Sequence, residues 1–241
     1  MINVKAVVAY DGRFFSGFQK QKSTKETVTT QIENALKSLN INSKIIGSGR
    51  TDAGVHATGQ VINFYLPDYW SDLKKLKEAL NRKLDHIFIK IISKVDKDFH
   101  SRFSAKRRIY RYIFKDKKPS IFEENYISYY SLFDEDILKE ALKLFEGVHD
   151  FKFFYKTGSP IHTTIREIYK TRYIKRGDYH FIYFEANGFL RAQVRMMIEA
   201  IMLTSQGEIS LIELKEQIES KQRHTTRLSS ANGLYLARIL Y

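Results

Sequence analysis

The stretch KIIGSGRTDAGVHATGQVINFYL, Lys44 to Leu66, sets two apolar runs, Lys44–Ile46 and Gln60–Leu66, on either side of a glycine-rich segment. Short apolar runs bounded by glycines read as strands joined by a shaped loop. Glycines at 47, 49, 54 and 59 allow backbone conformations closed to other residues, so the loop can aim one side chain outward. That side chain is the carboxylate of Asp52, two residues after Arg50. Working outward, Val4–Tyr10 reads as a strand, and Thr27–Leu39 as a helix with Val28, Ile32, Ala35, Leu36 and Leu39 on one side. Downstream, Ser71 caps a helix carrying Leu73, Leu76 and Leu80, and Ile87–Val95 is a further strand. The order is βαββαβ. The rest of the chain repeats it: strand Arg108–Phe114, helix Asp134–Glu146 closed by Gly147, strands Thr164–Ile174 and His180–Glu185 around KRGD, a helix over Leu190–Thr204, and a last strand in GLYLARILY. The expected fold is α+β: two ferredoxin-like halves with mostly antiparallel sheets and an active-site cleft between them. Residues 1–103 form the half that carries the acid loop, and 104–241 the half that completes the cleft.

Composition narrows the chemistry. The 241 residues include 40 Lys and Arg against 27 Asp and Glu, a formal charge of +13, which suits a polyanionic partner. Cysteine is absent, which excludes disulfides, thiolate catalysis and cysteine-ligated metal sites. His56, His100, His149 and His162 have no ligand spacing. The N-terminus MINVKAVVAYDG reads as a strand entering a turn, with no basic leader, and no apolar run approaches the ~18 residues of a membrane span. A soluble, cytoplasmic protein without membrane contact is expected.

By itself RTDAG fits a plain turn in which Asp52 bonds its own backbone. It is not a phosphate loop, since the terminal Lys-Ser/Thr is missing. Further segments give it company: YDGRFFSGFQKQ (10–21), DFHSRFSAKRRIYRY (98–112), GVHDFKFFYK (147–156), ANGFLRAQVRMM (186–197) and NGLYL (232–236). In that order, and with GRTDAGVH, they resemble the TruA-type tRNA pseudouridine synthases over nearly the whole chain. The resemblance implies an isomerase that breaks the N1–C1′ bond of a uridine in tRNA and rejoins the base through C5, without metal or cofactor. It points to the anticodon arm, near positions 38–40, and to a homodimer.

Carried over by position, the family's nucleophilic aspartate is Asp52. A carboxylate can add to C6 of the uracil, or capture or stabilise the sugar C1′, and the residues leave that choice open. The family's active-site tyrosine is Tyr110, which could stack on the flipped base and serve as acid or base at C5. By strand alternation it shares a face with Tyr112 and Phe114, both read as core. The motif arginine that pairs with the aspartate is Arg195, although its spacing equally allows a helix pair with Glu199. Arg50 is the arginine that enters the RNA helix when the base leaves, or else a surface arginine. In FHSRF, Phe99, His100, Ser101, Arg102 and Phe103 correspond to a tRNA-contacting segment. The sequence departs from the family pattern at Phe18, where tryptophan is usual, at Glu199, where glycine is usual, and in SSANGLYL, which lacks prolines. Two other classes compete: a pure RNA-binding module, which needs no buried acid, and a metal-dependent nuclease, for which Asp11, Asp52 and Asp150 are only scattered candidates.

Overall fold

The computed structural model describes residues 1–158 and 161–241. The chain falls into two compact units, Met1–Lys106 with Tyr235–Tyr241, and Arg107–Leu234. The sequence reading divides the chain at 103 and keeps the closing strand with the second half; here residues 235–241 group with the first unit.

The first unit contains β1 (Ile2–Tyr10), α1 (Val28–Lys37), β2 (Ile46–Gly47), β3 (His56–Leu66), α2 (Leu73–Asn81) and β4 (Ile87–Lys94). β1 pairs antiparallel with β3, from Ile2 opposite Leu66 to Tyr10 opposite Ala57, and with β4 on its other side. β2 pairs with β3 at Asn63 and Ile62, which completes the ferredoxin-like order β4-β1-β3-β2. Alternation along β1 buries Val4, Ala6, Val8 and Tyr10, while α1 buries Val28, Ile32, Ala35 and Leu36 and α2 buries Leu76 and Leu80. The C-terminal strand, Leu234–Leu240, adds to β3 in parallel, Tyr235 opposite His56 and Leu236 opposite Ala57. Two local expectations shift. The strand expected over Lys44–Ile46 is confined to Ile46–Gly47, because the Ile45 amide donates to Glu33 Oε1 (3.2 Å) rather than to a neighbouring strand. The cap of α2 is Asp72, not Ser71: its carboxylate accepts from the amides of Lys74 and Lys75, both at 3.0 Å.

The second unit contains β5 (Arg107–Lys115), β6 (Ser128–Tyr129), α3 (Glu135–Lys143), β7 (Gly147–Asp150), β8 (Ile165–Arg176), β9 (Tyr179–Ala186), α4 (Gln193–Ser205) and α5 (Leu211–Ile218). β5, β9, β8 and β7 lie side by side in that order, all antiparallel. Gly177, at φ +57, makes the two-residue turn between β8 and β9 that KRGD signals. α4 is apolar on nearly every side and is buried accordingly. It starts at Gln193, not Leu190, because Ala192 is left-handed (φ 59) and Gln193 Oε1 takes the Leu190 amide at 2.8 Å. β6, β7 and α5 have no counterpart in the sequence reading, yet α5 carries a legible start signal, the capping box of Ser210 and Glu213. The whole is mixed α+β with mostly antiparallel pairing and five α-helices among the described residues, as the sequence predicts. None of these helices is long and apolar enough to cross a membrane.

Candidate active site

Asp52 stands in a turn whose backbone is fixed from two sides. Thr51 O accepts from the Phe18 amide (3.1 Å) and Asp52 O from the Val55 amide (3.2 Å), so the turn closes through main-chain carbonyls. Thr51 is buried beside it, its hydroxyl 2.8 Å from the Tyr10 hydroxyl, whose pKa burial pushes up. Asp52 itself is half-buried, and Arg50 is exposed. Gln60 supports the approach to Arg50, with Nε2 donating to Gly49 O (2.8 Å) and Oε1 accepting from the Val61 amide (3.1 Å).

Close packing leaves this turn no slack. A Cβ on Gly12 would stand 2.3 Å from Val55 O, and one on Gly17, at φ +112, would meet Thr51 O at 3.0 Å. Alongside, the Gly12 amide donates to Nδ1 of the buried His56 at 3.1 Å. Asp11 Oδ1, 3.4 Å from the same nitrogen, is engaged with the Arg13 guanidinium, whose Nη2 lies 2.7 Å from Oδ2. Tyr10, Thr51 and His56 lie within YDGRFFSGFQKQ and GRTDAGVH without being given a role there, and Gln60 carries no signal of its own.

The segment Phe99–Phe103 sits on the same unit. Ser101 is wholly buried, its hydroxyl 2.5 Å from Ile46 O and its amide 2.9 Å from Asn63 Oδ1, so it anchors the segment. His100 Nδ1 accepts the amides of Arg102 and Phe103, and its ring lies 4.3 Å from that of Phe103. Phe99 packs on Tyr241 at 4.9 Å. Arg102 and Phe103 are the exposed members, and Phe103 is 74% accessible with the Arg102 guanidinium 5.5 Å from its ring.

In the second unit Tyr110 is buried on β5, opposite Phe184 of β9 and edge-on to Phe189 at 5.1 Å. Tyr112 and Phe114 are fully buried, as core. Arg195 projects from α4 and donates from Nε to Ser229 O at 2.7 Å. Each expected residue thus has a defined setting in its own unit. No group of three or more His, Asp or Glu side chains suited to a metal occurs among the described residues.

The family model described as tRNA pseudouridine synthase matches residues 6–104 and 141–241. This chain belongs to the tRNA pseudouridine synthase family. The tRNA pseudouridine synthase A of Helicobacter hepaticus is 42% identical over 247 residues, with all of both chains aligned. That of Campylobacter jejuni is 41% identical over 242 residues, again all of both, and that of Pseudothermotoga lettingae 40% over 241 residues, 96% of each. The protein is therefore a pseudouridine synthase, an isomerase. Two of its departures from the family pattern, Phe18 and Glu199, have local partners. The Phe18 ring lies where a Cβ on Gly47 would fall, 2.2 Å away, so Gly47 makes room for it. In this synthase Glu199 accepts from the Tyr130 hydroxyl at 2.8 Å, and burial pushes the pKa of that hydroxyl up.

Proposed function

We propose that this synthase isomerises uridine in the anticodon arm of tRNA, near positions 38–40, with Asp52 as the nucleophile and with neither metal nor cofactor. The reading is carried by the turn itself: the main-chain carbonyls of Thr51 and Asp52 accept from the Phe18 and Val55 amides and fix the backbone that presents the carboxylate. A carboxylate held on so rigid a backbone is oriented in advance of its substrate, which is what attack on a flipped base requires. Tyr110 is the acid or base at C5 and stacks on the uracil; Arg195 keeps Asp52 ionised; Arg50 enters the RNA helix in place of the base. The segment 99–103 contacts the RNA through its exposed members Arg102 and Phe103. The enzyme works in the cytoplasm as a homodimer.

Unmodified tRNA incubated with the protein in chelator, followed by mapping of pseudouridine, tests substrate, position and metal independence together. Asp52→Asn keeps the shape and removes the charge. It is expected to bind tRNA, to melt within a few degrees of the wild type, and to form no product. Near-wild-type turnover by the folded variant would return Asp52 to a turn residue.

A further inference from the structure

The second unit is nearly balanced in charge, with 21 Lys and Arg against 17 Asp and Glu. Much of its positive charge is neutralised locally, as in Lys117 with Asp178, Lys139 with Glu135, Lys143 with Glu146 and Arg227 with Glu208. Four cations around the loop 151–158 differ. Lys152, Lys156, Arg191 and Arg223 are all exposed, and among the described residues none of them forms an ion pair with a carboxylate.

Their arrangement is built rather than scattered. Lys152 Nζ and Arg223 Cζ lie 5.3 and 4.9 Å from the centroid of one ring, Phe153, and Arg223 Nη2 reaches Lys152 O at 3.3 Å. At the other end of the loop the Lys156 amide donates to Arg191 O (3.0 Å), and Arg191 Nη1 reaches Thr157 O at 3.3 Å. The loop is tied down from within. Phe151 and Phe154 are fully buried against Phe145, and Gln217 Nε2 holds Phe153 O at 3.4 Å.

Two cations sharing one aromatic ring repel each other, and a cation–π contact at an exposed site returns little to offset that. The nearby Asp150 carboxylate takes the Lys152 amide (3.1 Å) and, among the described residues, forms no ion pair with either side chain, so an anion is what relieves the repulsion. Each guanidinium commits one of its N–H groups to a carbonyl, which fixes the fork and leaves the others for phosphate oxygens. We infer that Lys152, Lys156, Arg191 and Arg223 form a phosphate-binding site for the backbone of the RNA substrate. The inference rests on tRNA being that substrate, and it assigns these residues no part in the chemistry. Contacts of this kind set orientation and register and carry no sequence information.

The test compares two fourfold variants that remove equal charge. One is Lys152→Gln, Lys156→Gln, Arg191→Gln and Arg223→Gln; the other is Lys117→Gln, Lys139→Gln, Lys143→Gln and Arg227→Gln, all ion-paired positions on the same unit. Binding of an unmodified tRNA transcript is measured across a salt series, with steady-state pseudouridine formation beside it. Every phosphate that is no longer neutralised flattens the log–log salt slope by about 0.7–0.9, so the cluster variant should flatten it by about 1.5–3. KM should rise roughly tenfold with kcat within about twofold, since the loss is in uniform binding. The ion-paired variant should keep the wild-type slope. An unchanged slope in the cluster variant, or an equal loss in the ion-paired one, overturns the site in favour of overall charge. If the fourfold cluster variant does not fold, Lys152→Gln with Arg223→Gln must carry about half the effect. A wild type that binds tRNA through this cluster yet forms no pseudouridine would sink the proposed function and leave the site standing.

Discussion

Around Asp52 the backbone is held by closeness, while beneath the strands of the second unit it is held by bulk. A single added carbon on Gly12 would overlap Val55 O at 2.3 Å, and one on Gly59 would overlap Ala237 O, also at 2.3 Å. Phe145, by contrast, is buried among Phe151, Phe154 and Phe184, with ring centroids 5.3–6.5 Å apart. The first arrangement fixes positions to a fraction of an ångström; the second supplies stability that no single atom dictates. Turn substitutions should therefore cost activity out of proportion to stability, and core substitutions the reverse.

Phe145→Ala is the largest expected stability effect, about 3–5 kcal/mol from reduced transfer energy and the cavity left behind. Activity per folded molecule should stay near the wild type, as read by chemical denaturation alongside turnover. Loss of turnover without loss of stability would break the comparison from the core side. Gly12→Ala should cost less, about 1–3 kcal/mol, because the added carbon displaces Val55 and with it the turn. In the folded fraction, pseudouridine yield should nevertheless fall at least about tenfold, the penalty for shifting the proposed nucleophile by roughly an ångström. A fully active Gly12→Ala variant would show that the turn tolerates movement.

The smallest effect is on pH dependence and sharpens the view of the second unit. His180 is buried, stacked on Phe114 at 4.9 Å, with Nδ1 2.6 Å from the Tyr173 hydroxyl. Asp116, Glu135 and Lys175 are the charges around it. Burial lowers its folded pKa below the ordinary 6.5, and the field of Asp116 only partly offsets that. The unfolded chain therefore takes up the proton first. Its contribution to stability is full above the unfolded value and falls as pH drops below 6.5 toward the folded one. His180→Gln should reduce the slope of unfolding free energy against pH in that window, and an unaltered slope would assign it to other groups.

Much of this was legible because periodicity and turn chemistry are local. The alternation in β1, the stripe of α1 and the Gly177 turn all declared themselves in residues a few positions apart. The elements not seen depend on distant partners. β7 is four residues whose pairing with β8 is set by tertiary context, and β2 is shortened by one side chain, Glu33, reaching from α1. At the candidate site, Asp52 stood out from its glycines, whereas Tyr10, Gln60 and His56 gain their meaning only from contacts 11 to 44 positions away. Ser101 illustrates the limit on the surface side: a hydroxyl in a basic, aromatic segment reads as an RNA contact, but its bonds run to Ile46 and Asn63.

The strand that adds to β3 at His56 and Ala57 is made last, after all of residues 107–234. At about 5–20 residues per second, the ribosome takes roughly 6–26 s to synthesise those intervening 128 residues. Throughout that interval the β3 edge that leads out of the Asp52 turn lacks its parallel neighbour, and Gly59 lacks the carbonyl it packs against. The nascent first unit thus waits with one edge of β3 open just beyond the acid loop. Completion of the β3 edge is timed by chain synthesis, and an interrupted polypeptide leaves that edge open at His56 and Ala57 even when every residue of GRTDAGVH is present.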